Sequence, residues 1–111
     1  MFNKLDAHSI RFNSNIMKGY NTMKVRNMKS ISGSTIKNQF ILEHGQNEYF
    51  QSYETIIAMK DNISGLIYLD AKMWDYSVTT GKYRNQFLGM DKKTTEKAIN
   101  NKEIILTDLN A

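Results

Sequence analysis

Ser77-Val78-Thr79-Thr80-Gly81-Lys82-Tyr83-Arg84-Asn85-Gln86-Phe87-Leu88-Gly89 is the stretch at which the chain stops reading as strand and begins to read as helix. Tyr83, Phe87 and Leu88 share one face of a helical wheel, and Gly89 stands where a helix end commonly takes a left-handed residue. Asp75, Ser77 and Thr79 each carry a short side-chain oxygen suited to accept a bond from an unpaired first-turn N–H. The spacing predicts a helix near 78–88. Downstream, Asp91 or Thr94 caps a second, weaker helix through Asn100. Lys102 to Leu109, with Ile104-Ile105-Leu106 at its centre, reads as a final strand.

Upstream of this stretch the pattern is β. Met23 and Val25 alternate with Lys24 and Arg26, and Ser32-Gly33-Ser34 marks a turn. Ile36, Asn38, Phe40 and Leu42 then fall on one face, with Lys37, Gln39, Ile41 and Glu43 on the other, the period of a half-buried strand. His44-Gly45-Gln46-Asn47 closes a hairpin. Glu48 to Tyr53 resumes the pattern, and Ile56 to Met59 extends it or begins another strand. Asp61 to Gly65 breaks the run, and Leu66 to Leu69 reads as a short central strand. Strands followed by helices, without regular alternation, predict an α+β fold. We expect a small antiparallel sheet of β-hairpins, from segments near 24–30, 35–44, 48–59 and 65–69, packed against one or two short helices. Phe40, Leu42, Leu66, Trp74, Phe87 and Leu88 are its expected buried residues.

The 111 residues, 41% hydrophobic and 23% charged, suit one globular core. A chain of this size buries roughly 65% of its unfolded surface, enough to fold without a staple. The sequence holds no cysteine, so disulfides, thiolate metal sites and cysteine nucleophiles are excluded together, and a reducing cytoplasm is expected. The first residues lack the apolar core of a secretion signal, and no apolar run approaches a membrane span.

Charge is unevenly spread. Residues 1 to 37 hold seven Lys or Arg against Asp6 alone, and residues 38 to 111 hold eight against ten Asp or Glu. Residues 1–22 mix Asn, Ser and Lys with Phe2, Leu5, Ile10, Phe12, Ile16 and Met17 at a loose three-to-four spacing. They read as a flexible or partner-ordered basic arm ahead of a single domain at 23–111.

Chemistry has few footholds. His8 and His44 are the only histidines, and no phosphate-loop, dinucleotide, zinc-protease or nucleophile-elbow motif occurs, so neither a catalytic residue, nor a metal, nor a cofactor is expected. Glu43, Glu48, Glu54, Asp70 and Asp75 are the carboxylates available for acid–base or magnesium chemistry, but solvated charges and caps are the simpler account. Arg84 is the anomaly, because the wheel sets it on the apolar arc beside Tyr83, Phe87 and Leu88. A structural ion pair, with Asp75 as first partner and Glu54 as second, explains it more simply than a phosphate contact or a stem lying along the helix edge.

Tyr49-Phe50-Gln51-Ser52-Tyr53, Ile57-Ala58, Leu69-Asp70, Trp74-Asp75-Tyr76-Ser77, Thr79-Thr80, Lys82-Tyr83-Arg84 and Phe87-Leu88-Gly89 run in order through nearly half the chain. This segment resembles a small domain of unknown function found in bacteriophage and plasmid proteins. The resemblance implies a mobile-element origin and an α+β domain, and it carries over no catalytic residue. The functional expectation is therefore a binding protein that modulates a host protein or ribonucleoprotein complex, of the anti-restriction or anti-CRISPR kind. The alternative is direct nucleic-acid binding. Lys24, Arg26, Lys29, Lys37 and Lys82 are the candidate phosphate or partner contacts, and Tyr49 and Tyr53 the candidate stacking residues.

Overall fold

The computed structural model describes residues 23–111, so the basic arm expected at 1–22, and His8 within it, lie outside the described residues. Six strands form one sheet in sequence order: β1 (Lys24–Lys29), β2 (Thr35–His44), β3 (Asn47–Ser52), β4 (Thr55–Asp61), β5 (Ile67–Asp70) and β6 (Ile104–Thr107). The first five strands are antiparallel neighbours. β6 runs parallel to β5, because the chain between them makes a crossover built of α1 (Val78–Leu88) and α2 (Lys92–Asn100). The fold is α+β as expected, with one parallel pair that a reading in hairpins does not anticipate.

The segment read as 48–59 is two strands, β3 and β4, separated by a tight turn in which Tyr53 takes a left-handed φ of 57°. A second left-handed residue, Asn38 at φ 61°, interrupts β2. Asparagine tolerates this conformation better than most residues, and its effect is to turn the strand over. Ile36 packs with the helix-side core, while Phe40 and Leu42 face the other way. The unbroken alternation expected from Ile36 to Glu43 is corrected on this point.

Both helices cover one face of the sheet. Phe87, Leu88 and Ala98 pack there with Ile41, Phe50, Ala58, Leu69 and Ile104. Ser77 caps α1, its side-chain oxygen accepting from the Thr80 N–H at 3.1 Å. Gly89 closes the helix in the left-handed region at φ 73°, its own N–H donating to the Asn85 carbonyl. Asp91 caps α2 by accepting from the Thr94 N–H at 2.8 Å, and that bond holds its carboxyl below the usual carboxylate range.

Of the residues expected in the core, Leu42, Phe87 and Leu88 are buried. Phe40 and Trp74 are half-buried, and Leu66 is 39% exposed because it lies in the turn ahead of β5 and not within it. Asp70, at the end of β5, is the principal buried carboxylate. Its Oδ2 accepts from the N–H groups of Lys72 and Met73, and its Oδ1 from the Leu109 N–H and the Asn110 side-chain amide. Asn110 in turn pairs with both backbone groups of Ile56 at 2.8 Å. The end of the chain is thereby latched across β4 and β5, and Asp70 is fully occupied as an acceptor for backbone and amide donors.

Candidate functional site

A cleft of about 670 Å³ opens at the first turn of α1, with Tyr76, Val78, Lys82, Asn85 and Lys92 on its walls and Arg84 at its base. Local sequence explains why it forms. Ser77 fixes where the helix starts, so Asp75 and Tyr76 turn back beside its first turn. Gly89 and Asp91 then stop α1 and start α2, and Lys92 returns to the same side.

Arg84 is 1% exposed. Its Nη1 donates to the Trp74 carbonyl at 2.8 Å and to Asp75 Oδ1 at 2.9 Å, and its Nη2 donates to Asn85 Oδ1 at 2.8 Å. The guanidinium also lies 5.0 Å from the centre of the Trp74 ring, within range for attraction between a cation and the π face. Asp75 is shared: its Oδ2 lies 2.7 Å from Lys92 Nζ. The Lys92 bond is the main influence holding the Asp75 carboxyl below the usual range, ahead of Arg84 and against the opposing push of burial. Reciprocally, the Asp75 carboxylate raises Lys92.

A depressed carboxyl has a definite consequence for acid stability. Asp75 contributes stability that is fully present above its unfolded value of about 3.9 and is lost as pH falls through the lower folded value. Melting temperature should therefore carry no Asp75 contribution to its slope between pH 7 and about 5. Below about 4 the wild-type curve should fall more steeply than that of Asp75→Asn. Thermal melts of the two proteins across this range give the comparison, and parallel acid limbs would refute it.

The remaining sequence-predicted residues do not converge. Arg26 is engaged by Glu43, with Glu48 at 3.9 Å, so two candidate acid–base carboxylates are neutralised by one arginine. Lys29 Nζ donates to the Thr35 hydroxyl at 3.3 Å, and Lys24 and Lys37 are exposed on β1 and β2. Tyr49 is 8% exposed, on the sheet face away from the helices, and burial raises its phenol above the ordinary value. Tyr53 is 51% exposed. The neighbouring Ser52 hydroxyl lies 2.9 Å from that of Thr80, which brings the β3–β4 turn beside the first turn of α1. Lys82 alone among the candidate lysines lines the cleft. Sequence reasoning passed over Tyr76, Val78, Asn85 and Lys92. The only signal for Lys92 was its place directly after the Asp91 cap, and that says nothing of its reach to Asp75.

No helix among the described residues is long and apolar enough to cross a membrane. Neither the curated proteins nor the solved structures contain a match to this chain. A family model does match residues 23–105, spanning β1 to β5, both helices and the start of β6, and on that ground the chain belongs to the family of unknown function DUF8033.

Proposed function

We propose that this protein is a non-enzymatic binding domain that docks an acidic surface of a protein or ribonucleoprotein partner in the cleft beside α1. In the bacteriophage or plasmid setting that the sequence resemblance implies, it modulates a host nucleic-acid-handling defence complex. The observation that carries the reading is the composition of the cleft rim. Tyr76 and Val78 are exposed at 43% and 91%, and they stand beside Lys82 over a cluster in which Arg84, fixed by four groups, and Lys92 share the single carboxylate of Asp75 and leave a positive charge in excess. Exposed aromatic and apolar anchors beside cations held on a rigid base are the usual composition of an interface centre. Direct nucleic-acid binding is less well supported, since Arg26 is already paired with carboxylates and Tyr49 is buried.

Affinity capture from a host lysate, with and without nuclease, combined with a Tyr76→Ala/Lys82→Glu variant, tests the proposal. A partner retained after nuclease and lost with the variant supports it. The competing outcome is tight binding of generic duplex or single strands in a fluorescence-anisotropy titration, with affinity falling steeply between two salt concentrations, which would assign phosphate as the ligand.

A further inference from the structure

The two edges of the sheet are built differently. β1 forms one edge, and it carries Lys24, Arg26 and Lys29 exposed along its length and a break in register between Asn27 and Lys29. Such charges and irregularities keep an edge from pairing further. β6 forms the other edge, and neither device is present there: Ile104-Ile105-Leu106-Thr107 holds no charge, and its register with β5 is unbroken. Ile105 and Leu106 are 36% and 40% exposed. The Thr107 carbonyl accepts from the Ala71 N–H at 2.7 Å, so Thr107 and, two residues back, Ile105 turn their backbone groups to β5. Ile104 and Leu106 therefore turn theirs outward, where they meet no strand among the described residues.

We propose that β6 pairs with β6 of a second copy of this chain, antiparallel across a twofold axis, independently of what the cleft binds. The strand is self-complementary in one register only. Outward residues must oppose outward residues, and setting Ile104 opposite Leu106 pairs both within the strands, whereas setting either opposite itself leaves the other beyond a strand end. The favoured register exchanges about four backbone hydrogen bonds. It also lays Ile105 on its own counterpart at the axis, as an isologous contact requires. Beyond both ends of the strand it brings Lys102 of each copy opposite Asp108 of the other. Both residues are exposed, and neither has an ion-pair partner among the described residues. Opposite charges thus meet twice, whereas two β1 edges would bring cation against cation.

Sedimentation velocity on the full chain should show a dimer whose share grows with concentration. The chain has no cysteine, so Ile105→Cys introduces the sole thiol. At the non-hydrogen-bonded centre of the pair the two copies of that residue stand about 4.5 Å apart at Cα, within disulfide range. Mild oxidation should therefore link Ile105→Cys into a covalent dimer and should not link Leu106→Cys or Val25→Cys. Lys102→Glu and Asp108→Lys should each weaken association about tenfold, because two exposed pairs turn repulsive at once. Mixing these two variants should restore it as a heterodimer. A monomer at every concentration would leave the edge to a segment of another protein, and crosslinking through Val25→Cys would move the contact to β1. Either result overturns the proposal, as does a mixture that associates no more tightly than its components.

Discussion

Arg84→Ala should lower folding stability by about 3 to 5 kcal/mol in a denaturant melt. The size follows from burial. With a side chain 1% exposed, truncation removes the stem from the packed interior and strips the Trp74 carbonyl and Asn85 Oδ1 of their donors. Asp75 is the lesser contributor, because it is 29% exposed and keeps Lys92 as a partner. A double-mutant cycle on Arg84 and Asp75 should accordingly give a coupling of about 1 kcal/mol, near the upper end for pairs that water reaches. The rest of the loss belongs to the carbonyl, the amide and the Trp74 ring. Arg84→Lys should also destabilise, because an ammonium lacks the planar fork that serves the Trp74 carbonyl, Asp75 and Asn85 at once. A loss below about 1 kcal/mol for Arg84→Ala, with partner binding abolished, would move Arg84 from the scaffold to the interface.

That arginine also shows what could be read from the sequence. Its place on the apolar arc between Tyr83 and Phe87 required a partner, and Asp75, just ahead of the helix, was the one that the sequence offered; the reach of Lys92 to Asp75 was not legible, because it depends on how the chain turns between Gly89 and the Asp91 cap. Element type was legible where turn and cap residues were conspicuous, as at Gly45 and at Ser77 and Gly89, which bound α1 although its apolar face is interrupted by the buried Arg84. Two features escaped for one reason: they depend on single backbone conformations. Asn38 and Tyr53 take left-handed dihedrals that no pattern of hydrophobicity records. The first turns β2 over, and the second decides between the two readings of Ile56 to Met59 in favour of a strand of its own. The parallel pairing of β6 escaped differently, since a short apolar strand states no direction. It is the length of the α1–α2 crossover that permits a parallel return. The latch of Asp70 and Asn110 lay hidden because its two halves are separated by 40 residues.

Phe87→Ala is expected to cost about 3 to 5 kcal/mol, since the side chain joins the main helix to the sheet. Its ring stacks on Phe50 with centres 5.9 Å apart and planes 29° from parallel, and Phe50 is fully buried on β3. Lys60 Nζ sits 4.4 Å from the centre of the Phe87 ring. Two companion variants separate these contributions. Phe87→Leu keeps most of the apolar volume and should lose well under half of the alanine effect. Lys60→Met removes the cation and keeps a long stem, so it should cost no more than about 1 kcal/mol. If burial dominates, the order of loss is Phe87→Ala, then Phe87→Leu, then Lys60→Met. If Lys60→Met matches Phe87→Ala, the ring's contribution lies in holding the cation. An alanine effect below about 1 kcal/mol in a urea melt would mean that the α1 face bearing Phe87 and Leu88 is not what fastens the helix to the sheet.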